Sequence, residues 1–233
     1  IYGKTNRLSP EAPVPVFIPV TKNENQGMAG NVVENVKSLC GLCKVDFIHQ
    51  QNKITKTRYV ENKSNHMFLR VDEGERDINE LYLNSLQIEQ LKGYDAVIIS
   101  DYDKGFLNEE TITLIGENSK FTILDTKKKL TNKILDSISF IKLNESEYEN
   151  NKFFVKDYLS KIIITMGRDG AKYLNQNYSS PSPKDTIDVS GAGDTFTAAF
   201  TIKFLQTNDI EESLKFANSM ASFVVMKRGV ATP

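Results

Sequence analysis

The residues best suited to chemistry form a glycine-rich string, DVSGAGDTF, at positions 188–196. Gly191 and Gly193 let the backbone turn sharply into a helix around Ala192 and leave amide groups uncovered, which makes an anion site. Asp194 in that site could take a proton from an attacking hydroxyl while the amides stabilise charge on a transferred phosphoryl group. The alternative is a glycine-rich turn whose acidic residue only suits the helix dipole. The whole string, followed by an apolar helix, favours the catalytic interpretation.

Alternating strands and helices must position this turn. Four apolar strands are predicted, at residues 95–100, 121–124, 139–141 and 161–165. Nearly continuous apolar strands are typical of parallel strands covered on both faces. A helix is predicted from Ile78 to Leu91, Asn108 can cap the next one, and two long helices are predicted from Gly193 and from about Ile210. Strands that alternate with helices predict an α/β fold with a doubly wound, mostly parallel sheet.

The first third of the chain is β-rich. Strands are predicted at residues 13–20, 55–60 and 66–71. Prolines favour an edge strand or an extended arm for the first of them, and the polar residues 61–65 predict a hairpin turn between the other two. Between these strands, apolar residues at helical spacing predict a helix over residues 32–39.

Composition narrows the function classes. The chain has 233 residues and a formal net charge of −1, so a nucleic-acid partner is disfavoured. No apolar run reaches the length of a membrane-spanning helix, and we expect no membrane partner. Two cysteines are too few for a disulfide scaffold, which makes the cytoplasm the default location. The chain starts at Ile1, without a signal-peptide pattern, and we expect it to be a fragment of the encoded protein.

The string at 188–196 resembles the C-terminal signature of the PfkB/ribokinase family of carbohydrate kinases. Its glycine spacing and its place near the C-terminus do not fit a dinucleotide fingerprint. The resemblance implies one ribokinase-like kinase domain over residues 1–233, with Asp194 as the catalytic base and the amides of residues 191–193 as its anion hole. It also implies ATP and Mg²⁺ as cofactors.

Two further motifs resemble the nucleotide side of this family. Asn144 and Glu147 form an Asn-x-x-Glu motif that the family associates with Mg²⁺ and the ATP phosphates, and Glu147 is the implied indirect metal contact. Taken alone, the motif is an ordinary helix start. Thr165, Gly167 and Gly170 resemble the turn that lines the ATP site, although the same pattern fits a plain strand–turn–strand. The resemblance implies further nucleotide contacts at Asp125, Lys127 and Asn218.

Four segments resemble the branch of the family that acts on D-glycero-D-manno-heptose 7-phosphate. They are residues 2–16, residues 27–32, the hairpin around 55–58 and 69–72, and the loop SDYDKG at 100–105. The branch implies phosphorylation of the anomeric hydroxyl to the 1,7-bisphosphate, a step toward ADP-heptose and lipopolysaccharide. Another sugar kinase of the family and a non-catalytic sugar or nucleotide sensor are the alternatives. The implied substrate contacts are Gly27, Asn31, Arg70, Asp101 and Lys104, although Lys104 could instead be a solvated turn lysine.

The β-rich segments carry an expectation about assembly. In the resembled family, strands equivalent to residues 13–20 and 55–71 form a small β lid that often pairs between subunits, which implies a homodimer. Met28 and Asp103 replace glycines of the heptose kinase branch, and both changes could alter which sugar fits.

Cys40 and Cys43 form a Cys-x-x-Cys motif, which can be a redox pair or half of a zinc site. The family has a strand and a helix at this place, and residues 43–47 resemble the strand beyond them. We therefore expect a gap in the recorded chain between the two cysteines rather than a functional pair.

Overall fold

The chain divides into two structural units. The computed structural model describes residues 1–27, 29–76, 78–181, 189–227 and 231–233. The first unit comprises Ile1–Asn25 and Gln50–Asn79, and the second comprises Gln26–His49 and Glu80–Pro233. Met28, which departs from the resembled branch, lies outside the described residues.

The first unit is a four-stranded sheet in the order β2-β1-β3-β4. Its strands are β1 (Tyr2–Leu8), β2 (Pro15–Thr21), β3 (Thr55–Glu61) and β4 (Met67–Glu73). The pairs β1–β2 and β3–β4 are antiparallel, and β1 pairs with β3 in parallel. The strands and the hairpin predicted here are present, while β1 was not predicted because polar residues fill most of it.

The second unit contains a six-stranded sheet in the order β10-β9-β8-β7-β6-β5. Its strands are β5 (Val97–Asp101), β6 (Thr122–Thr126), β7 (Phe140–Asn144), β8 (Ile162–Thr165), β9 (Ala171–Tyr173) and β10 (Gln176–Tyr178). Strands β5 to β8 run parallel, and β8, β9 and β10 are successive antiparallel neighbours. The carboxyl ends of the parallel strands therefore share one edge, where α/β sheets place their ligands.

Helices cover both faces of the six-stranded sheet. They are α1 (Ala29–Leu39), α2 (Ser85–Leu91), α3 (Glu109–Glu117), α4 (Asn132–Ser137), α5 (Glu145–Val155), α6 (Ala192–Thr207) and α7 (Ile210–Val224). Residues of α2 to α5 pack in one apolar cluster with the sheet, and residues of α1, α6 and α7 pack in the other. The predicted α/β class is confirmed. None of the helices in the described ranges is both long and apolar enough to span a membrane.

Local signals explain where several helices begin. The side chain of Asn108 accepts a hydrogen bond from the Thr111 amide (2.7 Å), which confirms the predicted cap of α3. The helix predicted from Ile78 is wrong in extent, because α2 starts only at Ser85. Asn84 caps it there, and the backbone of Leu81 is used elsewhere, its amide donating to the Phe106 carbonyl at 2.8 Å.

The segment after α1 differs from the sequence expectation. Residues 43–50 form no strand, so the strand predicted at 43–47 is wrong. In the part of the chain that the structure describes, nothing pairs with the outer edge of β5, and Asp46 instead accepts a hydrogen bond from the Tyr94 hydroxyl. Cys40 and Cys43 form a disulfide just after the end of α1.

Candidate active site

A cavity of about 170 Å³ lies at the carboxyl edge of the parallel strands. It is lined by residues in or just after β5, β6 and β7 and by residues at the start of α6: Asp101, Tyr102, Asp125, Lys127, Lys142, Asn144, Glu147, Gly191, Gly193 and Asp194. Seven of the residues predicted for catalysis or nucleotide binding therefore meet in one place. A larger open groove of about 520 Å³ between α3 and α4 contains none of the predicted site residues.

The glycine-rich turn enters α6 through a left-handed residue. Gly191, the N-cap of α6, has φ 84° and ψ −3°, a conformation that glycine adopts at low cost. A methyl group at Gly193 would lie 3.1 Å from the Lys142 ammonium, so glycine here allows that cation to come close to the turn. Ala192 does not line the cavity, and its amide donates to the Val189 carbonyl at 3.3 Å.

Asp194 is buried in the first turn of α6, with 6% of its surface exposed. Its Oδ2 accepts a hydrogen bond from Asn31 Nδ2 (2.9 Å), and its Oδ1 accepts one from the Tyr102 hydroxyl (3.0 Å). Burial raises the pKa of Asp194. The bond from Asn31 lowers it, Asp125 raises it, and Tyr102 and Lys142 lower it, so that the pKa stays above its ordinary value. A raised carboxyl pKa suits a group that must accept a proton near neutral pH.

A chain of buried hydrogen bonds orients Asn31. Thr195 Oγ1 donates to Asn35 Oδ1 (2.7 Å), Asn35 Nδ2 donates to Asn31 Oδ1 (3.2 Å), and Asn31 Nδ2 donates to Asp194. Asn35 is completely buried and also donates to the Asn31 carbonyl. Because each donor points toward Asp194, the series fixes which end of the Asn31 amide faces the carboxylate.

Lys142 brings a buried positive charge to the cavity, although no sequence motif predicted it. Its side chain lies on β7 and forms a salt bridge with Asp125 at the end of β6. A buried lysine is rare unless it is paired. The one signal in the sequence was a lysine inside the otherwise apolar run of β7, immediately before the Asn-x-x-Glu motif.

The loop after β5 is held by the side chains of its own sequence and of the neighbouring loop. Asp101 accepts hydrogen bonds from Thr126 Oγ1 (2.7 Å) and from the Asp103 amide (3.0 Å). Asp103 has φ 53°, which explains why the resembled motif has glycine there, and its carboxylate pairs with Lys128. Lys104 is exposed and does not line the cavity.

Asn144 and Glu147 form a reciprocal capping box at the start of α5. Asn144 Oδ1 accepts from the Glu147 amide and Glu147 Oε2 accepts from the Asn144 amide, both at 2.8 Å. Both residues also line the cavity. The structural and the functional interpretation of this motif are therefore compatible, since the cap sets the positions of both side chains in the cavity wall.

The remaining nucleotide candidates lie outside this cavity. Gly170 has φ 93° and packs against the backbone of Tyr178, and Gly167, with φ 57°, belongs to the same turn between β8 and β9. Thr165 Oγ1 donates to the Leu143 carbonyl (3.3 Å), and Asn218 Nδ2 donates to the Tyr178 carbonyl (2.7 Å). The hydrogen bonds give Thr165 and Asn218 a structural role, and the positive φ angles of Gly167 and Gly170 favour glycine at both positions.

The two other predicted substrate contacts are Gly27 and Arg70. Gly27 is exposed just before α1. Arg70 belongs to the four-stranded sheet, where it forms a two-pronged salt bridge with Asp72 through bonds of 2.7 and 2.6 Å.

The cavity offers oxygen ligands for a divalent metal. Among the described residues, no group of three His, Cys, Asp or Glu side chains is arranged to hold a metal ion. Mg²⁺ in kinases is typically bound by one or two carboxylates together with substrate phosphates and waters. Glu147 and Asn144 in the cavity wall fit that kind of site.

Comparison with known families decides the class of the protein. The model of the pfkB family carbohydrate kinases matches residues 43–233. The chain belongs to this family. The predicted enzyme class, a carbohydrate kinase that transfers a phosphoryl group to an alcohol, is therefore confirmed at the level of the family.

Curated relatives extend the comparison to the whole chain. The chain is 31% identical over 283 residues to the bifunctional protein HldE of Helicobacter pylori strain J99 and 29% identical over 277 residues to HldE of a Nitratiruptor species. The comparison covers 99% and 100% of this chain but only 61% and 60% of those proteins. Because this chain has 233 residues, these relatives also carry residues within the matched region that it lacks.

Solved structures show the fold. A ribokinase from Thermotoga maritima has a TM-score of 0.69 at 16% identity, covering 98% of this chain and 90% of its own. A nucleoside kinase from Methanocaldococcus jannaschii has a TM-score of 0.68 at 15% identity, covering 98% and 89%. The ribokinase-like fold is confirmed.

Proposed function

We propose that the chain is an ATP-dependent kinase that phosphorylates the anomeric hydroxyl of D-glycero-D-manno-heptose 7-phosphate to the 1,7-bisphosphate. One observation carries the phosphoryl-transfer part: a buried Asp194, held by two donors, shares a cavity with the glycine-rich turn and with Lys142. The choice of sugar is supported by the four segments that resemble the heptose kinases and by the similarity to HldE proteins.

The side chains around the cavity suit an in-line phosphoryl transfer. Asp194 takes the proton as the sugar hydroxyl attacks the γ-phosphorus of ATP, and the bond to the β-phosphate oxygen breaks. The Lys142 ammonium and the start of α6 stabilise the negative charge on the transferred group. Asn144 and Glu147 would hold Mg²⁺, which supplies neutralisation of the phosphate charges when bound.

Substrate contacts follow from the resemblance and the cavity together. We assign the ATP phosphates to the side of Asp125, Lys127 and Lys142, and the remaining nucleotide to Thr165, Gly167, Gly170 and Asn218. Gly27, Asn31, Arg70, Asp101 and Lys104 are assigned to the sugar phosphate. A competition assay with ATP analogues on Lys127→Met checks the first assignment, and unchanged ATP affinity would argue against it.

The test of the base is Asp194→Asn in the full-length protein. General-base catalysis contributes about 10²–10⁴-fold, so we expect turnover to fall at least 100-fold while ATP affinity is kept. Asp157→Asn, at an exposed position, is the matched control and leaves turnover unchanged. Near-normal turnover of Asp194→Asn would contradict the assignment of the base.

The substrate is tested with a panel of sugars and sugar phosphates in an ADP-release assay. The heptose 7-phosphate is expected to have the highest kcat/KM. A strong preference for an unphosphorylated sugar or for a hexose phosphate favours another kinase of the family. Binding of ATP and sugar without any ADP release would favour the non-catalytic sensor.

We also infer that the four-stranded sheet is the lid of the resembled family and forms a homodimer. Both of its edge strands expose apolar side chains, namely Ile18 and Val20 on β2 and Met67 and Leu69 on β4. Unpaired sheet edges with apolar residues favour strand pairing with another chain. Sedimentation at micromolar concentration should show a dimer that the double variant Ile18→Lys, Leu69→Lys disrupts, and a wild-type monomer would contradict the inference.

A further inference from the structure

Tyr102 is the least explained residue of the cavity. It follows β5 directly, and its hydroxyl donates to Asp194 Oδ1 at 3.0 Å. The Lys127 ammonium lies 5.0 Å from the centre of its ring, close enough for a cation–π contact. One side chain therefore touches both the predicted base and a predicted nucleotide contact.

The protonation state of Tyr102 suits a permanent donor. Burial raises its pKa far above the ordinary tyrosine value, and the negative charges of Asp194 and Asp125 raise it further. The phenol is therefore protonated at every pH at which a kinase works, and it can only donate to the carboxylate. Because a carboxylate oxygen has two lone-pair sites, Oδ1 keeps one of them for a substrate hydroxyl.

We propose that Tyr102 is a positioning residue for Asp194: with Asn31 on the other oxygen, it fixes the rotation of the carboxylate and presents Oδ1 to the cavity. A carboxylate held by one donor can turn about its Cβ–Cγ bond, whereas one held through both oxygens cannot. The proposal rests on the proposed role of Asp194 as the base. It assigns to the loop after β5 a function in catalysis beside the sugar contacts implied by the resemblance.

The test is Tyr102→Phe in the full-length protein, because phenylalanine keeps the ring and its contact with Lys127 and removes only the hydroxyl. Misplacement of a catalytic group can lower rates by up to about 100-fold, and we expect kcat to fall about 10- to 100-fold with little change in KM for ATP. In the pH profile of kcat/KM for the sugar, we expect the acid limb to move to higher pH. The hydrogen bond from Tyr102 lowers the pKa of Asp194, so its loss raises that pKa. The charged groups around the pair (Asp125, Lys127, Lys142 and Glu147) and the ionisation of the substrate stay the same in both proteins, so the difference reports this bond.

Tyr82→Phe is the matched control, since Tyr82 is 79% exposed and its hydroxyl bonds only to Glu80 among the described residues.

A second variant, 3-fluorotyrosine at position 102, keeps the shape and makes the phenol a stronger donor, so its acid limb moves to lower pH. A Tyr102→Phe protein with the kcat and acid limb of Tyr82→Phe would overturn the proposal. A loss of kcat without any movement of the acid limb in either variant would also overturn it, because that result would show that Tyr102 acts only through its packing. If Asp194→Asn keeps turnover, the proposed function fails instead.

Discussion

The two sheets of this chain differ in how completely they are buried. In the six-stranded sheet, Ile123, Leu124, Ile141, Leu143 and Ile163 are completely buried between helices. In the four strands of the other sheet, Gly3 is the one described residue that is buried, and several large apolar side chains are exposed. The residues proposed for catalysis therefore lie at the edge of the more completely buried of the two sheets. The four-stranded sheet, in contrast, keeps large apolar side chains exposed on both of its edge strands.

The largest expected effect on stability is in the centre of the six-stranded sheet. Leu124→Ala removes a completely buried side chain from β6 and should lower the free energy of unfolding by about 2–5 kcal/mol. Urea denaturation followed by circular dichroism measures the loss. A loss under about 1 kcal/mol would show that this core is looser than the burial indicates.

A smaller loss is expected at the turn between β8 and β9. Gly170 has φ 93°, and a methyl group there would lie 2.1 Å from the Tyr178 carbonyl, so Gly170→Ala should cost about 1–3 kcal/mol. Gly167→Ala is the matched control, because its φ of 57° is also left-handed but no atom outside the adjacent residues lies within 4 Å of the added methyl. Equal losses in the two variants would mean that backbone strain alone, without the contact to Tyr178, explains the glycine.

At the carboxyl edge of the same sheet, we expect a substitution to raise the free energy of unfolding instead of lowering it. Because burial raises the pKa of Asp194, its ionisation opposes folding, and Asp194→Asn should stabilise the chain by about 0.5–2 kcal/mol at neutral pH. The gain is absent below the ordinary aspartate pKa of about 3.9, where the group is neutral in both states. It grows as pH rises toward the raised folded pKa and is constant above it. Thermal unfolding of both proteins between pH 3 and 8 measures this profile. A stability difference between variant and wild type that is smaller at pH 7 than at pH 3.5 contradicts it.

The smallest effect is expected in the four-stranded sheet. Ile18 is 48% exposed on β2, and Ile18→Thr keeps the β-branched shape. At a dilution at which the chain is monomeric, we expect the free energy of unfolding to change by less than about 0.5 kcal/mol. A larger loss of unfolding free energy that occurs only at high protein concentration would support the dimer. A loss above about 1 kcal/mol in the monomer would break the comparison between the two sheets.

Local patterns in the sequence were sufficient for much of the fold. Strands β5 to β8 are short, mostly apolar runs, α7 has apolar residues at helical spacing, and Asn108 has the chemistry of a cap. The extent of α2 was missed because the backbone of Leu81 bonds to Phe106, a contact that no local pattern contains. The strand β1 was missed because it pairs through backbone groups on both sides and needs few apolar residues.

The candidate site was predictable in a similar, partial way. Asp194 and its glycines form one contiguous motif, so their chemistry can be read without a structure. Lys142 and Tyr102 contact residues from other strands and loops, and their residue types alone do not predict these contacts. Asn31 was predicted for the sugar side, and its hydrogen bond with Asp194 depends on the packing of α1 against α6.

The hydrogen bond between Asn31 and Asp194 joins residues 163 positions apart in the chain. Contacts of such long range form late, because the intervening chain must be ordered before they are gained. During synthesis, α1 leaves the ribosome long before α6 exists, so Asn31 cannot contact Asp194 until most of the chain has been made. Kinase activity would therefore report the completion of folding, and a refolding experiment should recover helical signal before it recovers turnover.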